Sequence, residues 1–235
     1  MKLFKQFIGG FSIALLLISC SNSQNREHPY GLDVLDSMKD YKAEIRENPD
    51  MELISLDELL PNLVLDMRYA TPNNFTGEVV YDHPAAFLRK PAAEALLRVQ
   101  QNLARMNIGL KVFDAYRPYA ATVKFYEIIG DTNYVASPWH GSRHNRGAAV
   151  DVSLISLETG EELPMPTAFD EFSEKAAPDY MDLPEEVIHN RTLLIRVMAE
   201  EGFTVYPTEW WHFDYTDWEG FGLMDVKISE LASGK

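Results

Sequence analysis

The stretch SRHNRGAAVD, from Ser142 to Asp151, constrains this chain most, because it offers an imidazole and a carboxylate six residues apart around Gly147. His144 and Asp151 supply one nitrogen and one oxygen, whereas a catalytic zinc takes three protein ligands and keeps a further position for water. A third ligand arrives in EWWHFDY, where His212 stands three residues after Glu209. A ligand and a proton-handling carboxylate therefore come together. Taken alone, a His-x6-Asp pair also describes a buried histidine in a turn followed by a solvated aspartate. The two segments together favour the metal site.

At 235 residues the chain suits one domain with a full core. Hydrophobic residues make up 46% and charged residues 24%, an ordinary globular composition. The net charge of −15, with no basic cluster, excludes nucleic acid as a partner, since an acidic surface repels phosphates.

The amino terminus reads as a targeting segment. Lys2 and Lys5 precede an apolar run from Phe7 to Ile18, which ends in LISC at Cys20. About a dozen apolar residues are too few for a permanent membrane-spanning helix. Leu17-Ile18-Ser19 before a cysteine resembles a bacterial lipoprotein signal. That resemblance implies a signal peptide over 1–19, lipidation of Cys20 and an extracytoplasmic protein anchored to a bacterial membrane. Cys20 is the only cysteine, so no internal disulfide can form. Residues 20–50 are expected to be a lipidated tether, in which Tyr30, Leu32, Val34 and Leu35 pack loosely at most. The domain is expected over 51–235.

Within that domain, Ser55 and Glu58 form a capping-box pattern for a short helix closed by Pro61. NLVLDMRYAT (62–71) alternates as a strand, with Leu63, Leu65, Met67 and Tyr69 on one face. Pro91, Leu96, Val99, Leu103 and Met106 mark a helix over 90–106, ended by Gly109. A strand at 110–116, a helix from Pro118 to Gly130, a strand from Ala149, a helix over 184–201 and a strand at 203–206 follow. Val150, Val152 and Leu154 should face the core, and Asp151 the opposite side. The segment 165–182 reads as a loop over the site. The whole is α+β, a mostly antiparallel sheet with helices packed to one side.

Four blocks carry a family resemblance: DMRYATPNNFTG (66–77), DAYRP (114–118), Ser142-x-His144-x-x-Gly147-x-Ala149-x-Asp151 and EWWH (209–212). Over roughly residues 52–225 the chain resembles the zinc D-alanyl-D-alanine dipeptidases. The resemblance implies the zinc D-Ala-D-Ala peptidase (hedgehog-like) fold. It also implies one zinc on His144, Asp151 and His212, and a small dipeptide as substrate. In that family the arginine at the position of Arg117 stabilises the oxyanion. This chain departs from the family where MPTAFD (165–170) has Pro166 in place of an expected glycine, although Asp170 is kept.

Glu209 is the candidate general base, which requires a bend between Pro207 and Trp211 to turn Glu209 and His212 to one side. Arg117 offers an always-charged fork to an oxyanion, or pairs with Asp114 to fix the turn. Trp210 and Trp211 suit packing. Ser142, Arg143 and Arg146 are further candidates for carboxylate or backbone anchors. His28, His83, His140 and His189 are not expected to bind metal. Two other functions fit the same residues: a D,D-carboxypeptidase or endopeptidase acting on peptidoglycan stems, and a zinc-stabilised binding module. Glu209 and Arg117 argue against the module, because a structural zinc needs neither.

Overall fold

Alternation of apolar residues gives strands and their recurrence every 3.6 residues gives helices. The computed structural model, which describes residues 28–234, contains both. Its strands are β1 (Val34–Leu35), β2 (Leu53–Ser55), β3 (Val64–Leu65), β4 (Phe87–Arg89), β5 (Ile108–Asp114), β6 (Ala149–Ser156), β7 (Phe203–Tyr206), β8 (Glu209–Tyr215) and β9 (Leu223–Met224). Its helices are α1 (Met38–Glu47), α2 (Leu56–Leu59), α3 (Lys90–Ala104), α4 (Tyr119–Ile129), α5 (Glu185–Glu200) and α6 (Ile228–Ser233).

Five strands make the central sheet in the order β3-β5-β6-β8-β7, parallel only between β3 and β5. The α+β expectation, mostly antiparallel, holds. Leu96, Val99 and Leu103 of α3 and Leu194, Val197 and Met198 of α5 share one core with Val150, Val152 and Leu154 of β6. One face of the sheet is thereby closed by α3 and α5. The other is left for polar chemistry.

The expected tether is corrected over residues 28–50. There β1 pairs in parallel with β9, and α1 packs its buried Tyr41 on the domain, where the Tyr41 hydroxyl accepts a 2.6 Å hydrogen bond from the Leu53 amide. Apart from Glu44, the charged residues of α1 are exposed and Tyr41 is its one buried residue, which is why composition concealed the helix. Cys20 and the signal segment lie outside the described residues.

Three local expectations also change. Ser55 does stand at the amino end of α2, but its side chain makes no capping hydrogen bond. The strand expected over 62–71 is regular only at β3, and Arg68–Ala70 form a 3-10 turn that buries Tyr69. Helix α3 stops at Ala104. Asn107 takes a left-handed φ of 59°, so Gly109 lies inside β5, where a Cβ would meet Leu157 at 2.7 Å.

Arg89 ties the amino-terminal segment to the His144 loop. Fully buried, it pairs with Glu44 of α1 at 2.9 Å and donates through Nε to the Arg146 carbonyl at 3.0 Å. It also donates to the Met51 carbonyl and lies 2.8 Å from the Met224 sulfur. Removing one member of a buried, paired charge typically costs about 3–5 kcal/mol. Arg89→Ala is expected to lower unfolding stability by about that amount in a denaturant titration. A loss under about 1 kcal/mol would show that this network does not hold the segment.

Candidate active site

Two irregularities in the sheet bring the functional side chains together. Along β5 and β6, Val112 pairs with Val152 but Asp114 pairs with Asp151, so Phe113 is the extra residue of a bulge. Residues paired across a ladder share a face. The bulge therefore turns Asp114 to the same side as Asp151. Between β7 and β8, Val205 pairs with Phe213 while Tyr206 pairs with Glu209. Trp210, Trp211 and His212 form a loop in the strand on that edge, which places Glu209 beside His212 as the expected bend requires. Trp210, fully buried, donates from Nε1 to Thr167 Oγ1 at 3.0 Å and fixes that distortion.

His144 opens a 3-10 turn, His144–Arg146, which ends at Gly147 with φ 67°. A Cβ there would meet Leu53 at 2.6 Å, so the turn into β6 needs a glycine both for its left-handed backbone and for space. Asp151 of β6 pairs with His212 of β8, which sets both side chains on one face.

The ligand atoms of His144, Asp151 and His212 form a nearly equilateral triangle. His144 Nε2 lies 3.1 Å from His212 Nδ1 and 3.3 Å from Asp151 Oδ1, and His212 Nδ1 lies 3.0 Å from Asp151 Oδ1. Zinc ligands at about 2.0–2.1 Å in a tetrahedron stand roughly 3.3 Å apart, so the three atoms fit one zinc ion. Their outer nitrogens are held as well. His144 Nδ1 donates to the Ala115 carbonyl at 2.7 Å and His212 Nε2 to Asp214 at 3.0 Å, which leaves the inner lone pairs for a metal.

Electrostatics agree with that geometry. Burial alone would lower the His212 imidazole, but hydrogen bonds with Asp151 and Asp214 push it up to about 10. Burial opposes ionisation of Asp151, yet His144 and His212 hold its carboxyl well below the usual range. The centre of the triangle thus attracts positive charge, which a divalent cation supplies.

Glu209 Oε2 lies 4.0 Å from His212 Nδ1, close to the triangle without belonging to it. Burial, with a contribution from Asp151, raises its pKa toward the range of a working base. Arg117 does pair with Asp114: Nε and Nη2 donate to one carboxylate oxygen at 3.0 and 2.7 Å. Its guanidinium also stacks on Phe125 at 4.9 Å, and Nη1 is the nitrogen left for a ligand in the cavity that Arg117 lines. That cavity, about 230 Å³, is also lined by His144, Asp151, Glu209 and His212.

Sequence reasoning overlooked two members of this site. Asp214 stands two residues beyond His212, the strand spacing that puts both on one face, so the signal was present. Tyr81, fully buried around a hydroxyl that donates to Asp114 at 2.7 Å, left none. Asp170 lines the cavity with φ 61° and accepts from Tyr69 at 2.9 Å, so the loop carrying Pro166 still delivers it. His28, His83, His140 and His189 lie outside the triangle.

The family described as D-ala-D-ala dipeptidase matches residues 49–233. The D-alanyl-D-alanine dipeptidase of Escherichia coli (strain K12) is 32% identical over 178 residues, 76% of this chain and 92% of that protein. That of Enterococcus faecium is 31% identical over 182 residues, covering 69% and 90%. A solved structure of the vancomycin-resistance D,D-dipeptidase VanXYg with a D-Ala-D-Ala phosphinate analog is more distant, at 17% identity and a TM-score of 0.36, covering 78% of this chain and 75% of that one. By its matched length and its relatives, this chain belongs to the D-Ala-D-Ala dipeptidase family of zinc-dependent metallopeptidases.

Proposed function

We propose that this protein hydrolyses D-alanyl-D-alanine to two D-alanines, using one zinc per chain held by His144, Asp151 and His212. The observation that carries the reading is the triangle of ligand atoms with Glu209 beside it in the wall of a small cavity. The relatives named as D-alanyl-D-alanine dipeptidases support the substrate. A cavity of about 230 Å³ has room for a dipeptide of two small residues.

Bound zinc would lower the pKa of water to about 7 and polarise the scissile carbonyl. Glu209 takes the proton from the attacking water and returns it to the leaving amine. Arg117, held rigidly by Asp114, faces the negative charge that develops on the carbonyl oxygen, where a preorganised donor is most effective. A binding module would need neither side chain.

His144→Ala and His212→Ala are each expected to lose the zinc that the native protein retains after dialysis, as read by elemental analysis. Full zinc content in both would show that other residues hold it. Glu209→Gln should keep its zinc and its thermal transition, and lose about 10²- to 10⁴-fold in kcat on D-Ala-D-Ala, since the amide cannot take a proton. Near-native turnover would assign the base elsewhere. For Arg117→Ala, a loss of about 10²- to 10³-fold with zinc retained is expected in the same assay.

The same reading places the protein outside the cytoplasm, anchored through a lipid on Cys20, and the support is the LISC pattern after an apolar run. Cys20→Ser should move the protein from the membrane fraction to the soluble one or leave it unprocessed. Unchanged fractionation and processing would rule the anchor out.

A further inference from the structure

The cavity is lined by three carboxylates, those of Asp151, Asp170 and Glu209, but apart from the histidines by only two cations, Arg117 and Arg143. A zwitterionic dipeptide therefore meets ample negative charge for its ammonium group. Its carboxylate must find one of the two arginines. Arg117 is engaged twice by Asp114, whose carboxylate is fully buried. Arg143 is placed differently. Among the described residues its one ionic contact is a long one, Nε to Asp214 at 3.6 Å, and its guanidinium lies against Trp218 at 4.8 Å and Tyr206 at 5.9 Å.

Stacking on two rings limits the motion of the side chain and leaves the two Nη groups available to a planar anion, a geometry that a guanidinium fork matches. The location also fits. Arg143 precedes His144 in sequence, and Asp214 links it to His212 Nε2 at 3.0 Å. In a dipeptide the terminal carboxylate carbon is only two bonds beyond the scissile nitrogen, about 2.5 Å away. A carboxylate anchor must therefore stand next to the metal ligands.

Building on the peptidase reading above, we propose that Arg143 binds the free carboxylate of the residue just after the scissile bond. Loss of a charge-assisted hydrogen bond weakens binding by roughly 10- to 100-fold.

The test measures binding without turnover, by calorimetry on zinc-loaded full-length protein carrying Glu209→Gln. D-Ala-D-Ala is compared with D-Ala-D-alaninamide, which lacks the carboxylate. The acid should bind more tightly than the amide. Adding Arg143→Gln should raise the Kd of the acid roughly 10- to 100-fold and leave that of the amide unchanged. Equal weakening of both ligands, an unchanged Kd for the acid, or no binding of the acid would overturn the assignment. Absence of hydrolysis by the native enzyme alongside the expected binding pattern would count against the catalytic reading alone.

Discussion

The carboxylate of Asp114 is the interaction on which the site depends. Its residue is fully buried, and a buried charge is tolerated only when paired and hydrogen-bonded. It accepts from Arg117 Nε and Nη2, from Tyr81 and from the Ala115 amide. The Ala115 carbonyl then orients His144. One carboxylate thus positions the Arg117 guanidinium in the cavity wall and, through one peptide unit, the His144 imidazole of the triangle. Tyr69 and Phe125 flank Arg117 at 5.4 and 4.9 Å and screen this pairing from water.

That arrangement exists because the sheet is imperfect in two places. A regular β5 would turn Asp114 toward the core of α3 and α5, and a regular β8 would separate Glu209 from His212. The bulge at Phe113 and the distortion at Trp210–His212 prevent both. Aromatic packing holds them in shape. Phe113 stacks on Phe169 with centroids 4.6 Å apart, and Phe169 in turn meets Trp211 at 5.6 Å. The two tryptophans of EWWH are therefore structural, yet the position of Glu209 relies on them.

The amino-terminal segment contributes to the same region from outside. Through β1 it supports β9, and Leu223 of β9 packs against Gly141, just ahead of the loop that carries His144. Through Glu44 it pairs with Arg89, which also holds the Arg146 carbonyl. Residues 28–50 thus brace the loop that carries His144.

Sequence by itself singled out His144, Asp151 and His212, the group that could hold a metal, and Glu209 beside them, because all four lie in short motifs of metal-ligating and proton-handling residue types. It also determined the long elements α3, α5 and β6, since burial of one face imposes a period that can be read from the chain. Segments whose stability comes from distant partners were not legible. Helix α1 depends on Tyr41 reaching Leu53, and β1 is two residues long and exists only against β9. Only the tertiary structure decided the role of Tyr81, which meets Asp114 across 33 residues, and the difference between the two arginines of the cavity. Arg117 is held by a buried carboxylate and Arg143 by rings, a distinction of surroundings that no local pattern of residues encodes.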